Sequence, residues 1–232
     1  MAADLLQHAL FMVLTISIYL PSLWLFRHCH QWVLLHPLSS ACVLLGIFLW
    51  ALDIEYADYQ RGNRLFYWLL GPSTVALAVP LHQQFDRIRQ LAQPLLLTLL
   101  FGVVAAPLCA LSIAWLLGAQ PDTLLAITPK SVTTPIALGI ATEIGAVGEL
   151  TAGVVIFTGV VGALGGPWIL ARLGLRDPRL VGFTLGINAH GVGTARAFEI
   201  DPLCGAFASL ALGLTGAITA LTLPSVVLWL GQ

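Results

Sequence analysis

Charge is what this chain has least of. Asp, Glu, Lys and Arg make up 9% of its 232 residues, whereas hydrophobic residues make up 58%. A soluble domain carries about a quarter charged residues. A chain with a mean hydropathy of +0.91 cannot cover its own surface in water, so a bilayer is the medium this composition fits. Nine arginines and one lysine face eleven acids, for a net charge of −1. That balance excludes the basic field a nucleic-acid partner needs. Cysteine is scarce as well: Cys29, Cys42, Cys109 and Cys204 show no metal or redox spacing and read as small buried hydrophobes. The N-terminus lacks a basic region and a small-x-small cleavage site, so the first apolar segment reads as a retained helix. No His-Glu-x-x-His, Gly-x-Ser-x-Gly or phosphate-loop motif occurs. The chain therefore reads as a non-enzyme, with no cofactor and no metal.

Eight apolar segments stand between the sparse charges: 7–26, 34–52, 64–80, 91–117, 122–142, 150–173, 180–197 and 203–230. Backbone polar groups in hydrocarbon must be satisfied within the chain, and runs such as Leu95–Leu100 lack the period of two that a barrel needs. The expected fold is an all-α, polytopic membrane protein of about eight transmembrane helices. It forms one domain over 1–232, with halves at about 1–118 and 119–232. The stretch Leu81–Gln93 mixes polar and apolar residues and reads as an interfacial helix. Eight full spans put Arg61, Arg64, Arg172, Arg176 and Arg179 on one side and Arg27, Arg87, Arg89 and Arg196 on the other. That split does not orient the chain.

Three segments are apolar yet carry helix breakers: 71–80 (GPSTVALAVP), 128–139 (TPKSVTTPIALG) and 186–199 (GINAHGVGTARAFE). Backbone freed by Pro or Gly survives in a membrane only where protein or a watery cavity supplies partners, and paired broken helices point to a transporter's site. Asp122 and Glu143 lie 21 residues apart, and between them Lys130, the sole lysine, falls deep in the apolar stretch. An intramembrane ammonium is costly and marks function. Pro129 and Pro135 bracket it, with Ser131, Thr133 and Thr134 alongside, and Thr134-Pro135 reads as the cap and first residue of a second half-helix. A lysine, hydroxyls and a half-helix N-terminus suit a carboxylate. In 186–199, Asn188, His190, Thr194 and Arg196 form a second polar cluster, with Thr194 placed to cap a half-helix starting at Ala195. His190 and Glu143 are the candidates for moving a proton. Ser73 and Thr74 stand in the first broken segment. A Ser131–Lys130 catalytic dyad is set aside because chain neighbours do not face each other on a helix.

At these motifs the sequence resembles the LrgB/CidB family of bacterial membrane proteins. The strings are IEYADYQRG (54–62), GPSTVALAVPL (71–81), TPKSVTTPIALGIATEIG (128–145) and AHGVGTARAFE (189–199). The likeness covers essentially the whole chain. It departs where the family usually has Ser-His-Ala and this chain has Ala189, His190 and Gly191, and where an aromatic usually stands in place of His82. The resemblance implies one of two functions. One is transport of small organic acids: a plant plastidic glycolate/glycerate translocator holds such a domain, and bacterial relatives are linked to pyruvate uptake. The other is a holin- or antiholin-like control of murein hydrolase export and autolysis. It also implies a small LrgA/CidA-type membrane partner, homo-oligomers, residence in the bacterial inner (cytoplasmic) membrane, and inverted repeats distantly like those of cation/proton antiporters.

Overall fold

The apolar runs do become helices, but some of them fold in ways that hydropathy does not reveal. In the computed structural model, residues 2–29, 35, 37–76 and 78–230 are described. They form α1 (Ala2–His28), α2 (Pro37–Ala51), α3 (Tyr56–Gly62), α4 (Arg64–Ala76), α5 (Ala78–Gln83), α6 (Phe85–Gln90), α7 (Ala92–Leu116), α8 (Pro121–Ile127), α9 (Thr134–Ile144), α10 (Gly148–Arg172), α11 (Pro178–Ile200) and α12 (Pro202–Leu230). Among the described residues, four stretches are long and apolar enough to cross a bilayer: Ala9–His28, Ala92–Leu116, Gly148–Arg172 and Pro202–Trp229. A fifth arises if Ser40–Ala51 and Tyr56–Gly62, bent by 120°, count as one span. The expected interfacial stretch is two short helices, α5 and α6. Many large apolar side chains are exposed, Phe101, Leu117, Phe157 and Trp229 among them, as a lipid-facing surface requires. Cys42 and Cys109 belong to that exposed surface, and only Cys204 is a buried hydrophobe as expected.

The described residues divide into two compact units, Met1–Ala76 and Leu77–Gln232. In the first, α3 is pinned to α1. Gly62 lies where an added Cβ would come within 2.4 Å of Phe11. Beside this contact, Tyr59 Oη is 2.9 Å from Thr15 Oγ1, and Asn63 Oδ1 is 3.1 Å from the same hydroxyl. The string 54–62 thus serves helix packing in this unit. Ser73 and Thr74 lie in α4, but their side chains fall outside the described residues.

In the second unit, two of the expected spans turn back on themselves. The clearest case is α11. His190 has φ 40° and ψ −132°. Beyond it, Gly193 sits so close to the incoming limb that an added Cβ would be 2.6 Å from Leu185 O. A straight helix would separate those residues by ~12 Å of rise. Val181, Leu185 and Ala197 accordingly share one core cluster with Leu170 of α10 and Cys204 and Ala208 of α12. Segment 180–197 is therefore a re-entrant hairpin with its tip at His190. The segment expected as a 21-residue span, 122–142, does the same. Pro121 and Leu125 of α8 line one cavity with Ile144 of α9, Trp115 of α7 and Val227 of α12. Leu125, Ile144 and Val227 also share a core cluster. Both ends of this hairpin therefore lie at one face of the unit, beside the end of α12. Both ends of the α11 hairpin lie at the opposite face, beside the start of α12. The spanning helix α10 runs from the first face to the second, and α12 runs back.

Candidate functional site

The tips of the two hairpins meet. In the first, Ile127 ends α8 and the chain runs through turns until Thr133, whose backbone is extended (φ −64°, ψ 150°) and starts α9. The Thr134-Pro135 pair therefore acts one position later than the sequence suggested. Thr133 is the cap residue, with no side-chain capping bond, and Pro135 lies in the first turn, where its missing N–H costs nothing. Unwinding 128–133 leaves Lys130 and Ser131 off any helix. Their side chains meet, with Lys130 Nζ donating to Ser131 Oγ at 3.3 Å. The geometric ground for setting that pair aside fails here, because it assumed a helix. Lys130 is half-buried, and Ser131, Thr128 and Val132 are buried around it.

In the second hairpin the break falls at His190, not at Thr194. Thr194 lies within the returning limb, and its Oγ1 donates to His190 O at 2.9 Å. The His190 ring is buried and its Nε2 lies 2.9 Å from Val155 O of α10. A carbonyl only accepts, so Nε2 carries the proton and Nδ1 of the neutral ring is left as an acceptor. The ring fits because α10 offers Gly159: a Cβ there would stand 2.6 Å from His190 Cε1. A non-glycine residue in this backbone region costs on the order of 1–3 kcal/mol, which persists only where the surroundings hold it.

Gly191 brings the tips into register, since a Cβ on it would lie 3.9 Å from Thr133 Cγ2. Lys130 lies three residues before Thr133 on the unwound segment, and His190 lies directly before Gly191. The junction thus collects Lys130, Ser131, Thr133, His190 and the N-terminus of α9, with Thr134 in its first turn. The other expected site residues have other employment. Asn188 donates to Thr184 O at 3.0 Å in its own limb. Arg196 pairs with Glu199 at 2.7 Å. Glu143 is exposed near the far end of α9, ~13 Å of helix rise from Thr134. Two hydroxyls that sequence reading passed over are Thr151 and Thr215, whose Oγ1 atoms are buried without a partner among the described residues. They were overlooked because they sit in unbroken spans. Thr151 lies one turn before Val155, and Thr215 directly before Gly216, which packs on Ile136 of α9. Buried hydroxyls of this kind call for a water or a solute.

Outside the apolar layer, Asp177 caps α11, accepting from Arg179 N at 2.9 Å. Hydrogen bonds from the Arg179 side chain and backbone hold its carboxyl below the usual range.

Comparison with known proteins shows what the chain is similar to. A family model described as the LrgB-like family matches residues 15–229. The uncharacterised protein YxaC of Bacillus subtilis (strain 168) is 33% identical over 218 residues, 94% of each chain. A holin-like protein CidB of Staphylococcus epidermidis is 28% identical over 225 residues, 97% of this chain and 98% of the relative. An antiholin-like protein LrgB of Bacillus cereus (strain B4264) is 28% identical over 207 residues, 89% and 90%. No solved structure matches the chain.

Proposed function

The chain belongs to the LrgB-like family, and from that membership we propose that it carries small organic acids across the bacterial inner membrane by alternating access. The substrates are monocarboxylates of the pyruvate, glycolate or glycerate kind. One observation carries the reading: the sole lysine stands where two re-entrant hairpins meet, among hydroxyls and at the N-terminus of α9. An ammonium held there offers charge to a carboxylate, and Ser131, Thr133 and Thr134 offer hydrogen bonds. The helix dipole adds to the same side of the balance. His190, with one ring nitrogen occupied by Val155 O, has the other to take up a proton, so uptake responds to an imposed pH gradient. The reading contains no catalytic step. The Lys130–Ser131 contact is an ammonium held to a hydroxyl until an anion displaces it. A small LrgA/CidA-type membrane protein and further copies of the chain are its expected partners.

The second reading is a holin- or antiholin-like regulator of murein hydrolase export, and the names of the CidB and LrgB relatives favour it. Purified chain in proteoliposomes separates the two. Labelled pyruvate, glycolate, glycerate and lactate are offered to the parent and to Lys130→Ala. Saturable uptake that Lys130→Ala loses supports the carrier. Leakage of an entrapped dye without monocarboxylate uptake supports the regulator.

A further inference from the structure

The two hairpins and the spans that follow them repeat each other in both sequence and contacts. Pro121 opens α8 and Pro178 opens α11, 57 residues later. The break residues Thr133 and His190 are again 57 apart. Within α10, residues 158–167 read TGVVGALGGP, and within α12, residues 215–224 read TGAITALTLP. Thr, Gly, Ala, Leu and Pro recur in register at the same offset of 57. Glu143-Ile144 ends the first hairpin and Glu199-Ile200 ends the second. The glycines of the shared Thr-Gly step perform one task. Gly159 of α10 receives the second hairpin, where an added Cβ would meet Val192 at 2.9 Å in addition to His190. Gly216 of α12 receives the first, where it would meet Ile136 Cδ1 at 2.9 Å. Each span thus seats the hairpin of the other repeat, two or three residues past its tip.

The faces differ in charge. Among the described residues of this unit, the first face carries Asp122, Glu143 and Glu149 and no arginine. The second carries Arg172, Arg176 and Arg179, with Arg196 on the returning limb and Arg89 just before α7, beside the acids Asp177, Glu199 and Asp201. Ile88 and Leu91 pack in one cluster with Leu203 at the start of α12, which places Arg89 at this face. Short loops rich in arginine stay in the cytoplasm.

We infer that 121–172 and 178–230 are an inverted repeat whose arginine-bearing face is cytoplasmic, so that the Lys130 hairpin dips in from the outside and the His190 hairpin from the inside. Two spans of opposite direction, each following a re-entrant hairpin, are related by an axis in the membrane plane. Thr133 and His190 are then counterparts, and the junction between them is two half-sites facing opposite sides of the membrane. This assignment moves the repeat boundary from about 118 to the loop after α10. It stands on the fold and does not need the carrier reading.

The test is labelling from one side. In a full-length chain with Cys29, Cys42, Cys109 and Cys204 replaced by Ala, single cysteines are placed by Gln120→Cys, Val147→Cys, Leu175→Cys and Ile200→Cys, all at exposed positions. A membrane-impermeant maleimide is applied to intact spheroplasts and to inverted vesicles, and labelling in detergent confirms that each variant is present. Two positions per face keep the result readable if one variant fails to fold. The inference predicts that positions 120 and 147 label in spheroplasts, and 175 and 200 only in inverted vesicles. Labelling of 120 and 147 from opposite sides overturns it, as does labelling of all four from one side. The reversed pattern overturns the cytoplasmic assignment. A chain with the predicted pattern that moves no monocarboxylate refutes the carrier alone. Transport with 120 and 147 on opposite sides refutes the repeat alone.

Discussion

The two hairpins reach the same junction by different means. The first unwinds over six residues, 128–133, which include Pro129 and stop short of Pro135, and uses the free length to place a lysine and a serine off the helix. The second turns on one residue, His190, held in a backbone conformation that suits glycine although glycine is its neighbour at 191. A loose break can present side chains to a solute. A tight one needs a partner helix to hold it, and that partner is Gly159 with Val155 O. On the proposed carrier reading the lysine hairpin is the one that binds, and the histidine hairpin is the one whose seat must stay intact.

The substitution expected to hurt most is Gly159→Val. Its branches would enter space already filled by the His190 ring and Val192, and overpacking of this kind costs about 1–3 kcal/mol or more. Thermal unfolding in detergent should show a drop of several degrees. Gly216→Ala meets only the flexible end of Ile136 and should cost less than half as much. Equal effects would dissolve the contrast between the two seats. Next comes Lys130→Ala, which should lower monocarboxylate uptake about tenfold or more, the worth of a charge-assisted hydrogen bond, while leaving Tm nearly unchanged. Lys130→Arg should recover part of the loss. A third pair separates strain from contact at the tight tip. His190→Ala loses the bond to Val155 O and keeps the strain, so Tm should fall. His190→Gly loses the same bond but relieves backbone strain of similar size, so stability should stay within about 1 kcal/mol of the parent while the response to a pH gradient disappears.

The smallest effect concerns the cap of the second hairpin. Asp177→Asn keeps a capping oxygen but loses the charge, and should cost about 0.3–1 kcal/mol at neutral pH. Because Arg179 holds the native carboxyl below its unfolded value, its contribution is present above the ordinary carboxylate range and is lost as pH falls through the lowered one. The gap in Tm between parent and variant should therefore close on acidification from pH 7 toward pH 3. A constant gap would mean that the charge does nothing there.

Much of this was legible in the residues. The apolar runs marked every long helix, and Pro129, Lys130 and Pro135 marked the first break because proline and a lone buried cation are local signals. What was not legible was direction. A helix that crosses and a helix that returns have the same apolar composition, and only contacts such as Gly193 against Leu185 tell them apart. Among the described residues four stretches, or five with the bent pair, are long and apolar enough to cross, and the expected spans 122–142 and 180–197 are the two that return. Thr194 was chosen as a cap from its residue type, whereas His190 breaks the helix through a neighbour on α10 that lies 31 residues earlier, at Gly159. The Thr-Gly repeat was present in the letters throughout. It stayed hidden because the halves were drawn across the whole chain, and the matching strings both lie after residue 118.

The central claim is that the two tips touch, and a cysteine pair tests it directly. Thr133→Cys with Gly191→Cys, in a chain otherwise free of cysteine, should cross-link within minutes under mild oxidant in native membranes, and each single variant should not. If the pair stays reduced while Gly216→Cys with Ile136→Cys cross-links readily, the lysine hairpin does not reach the histidine turn, and the anion site described above does not exist.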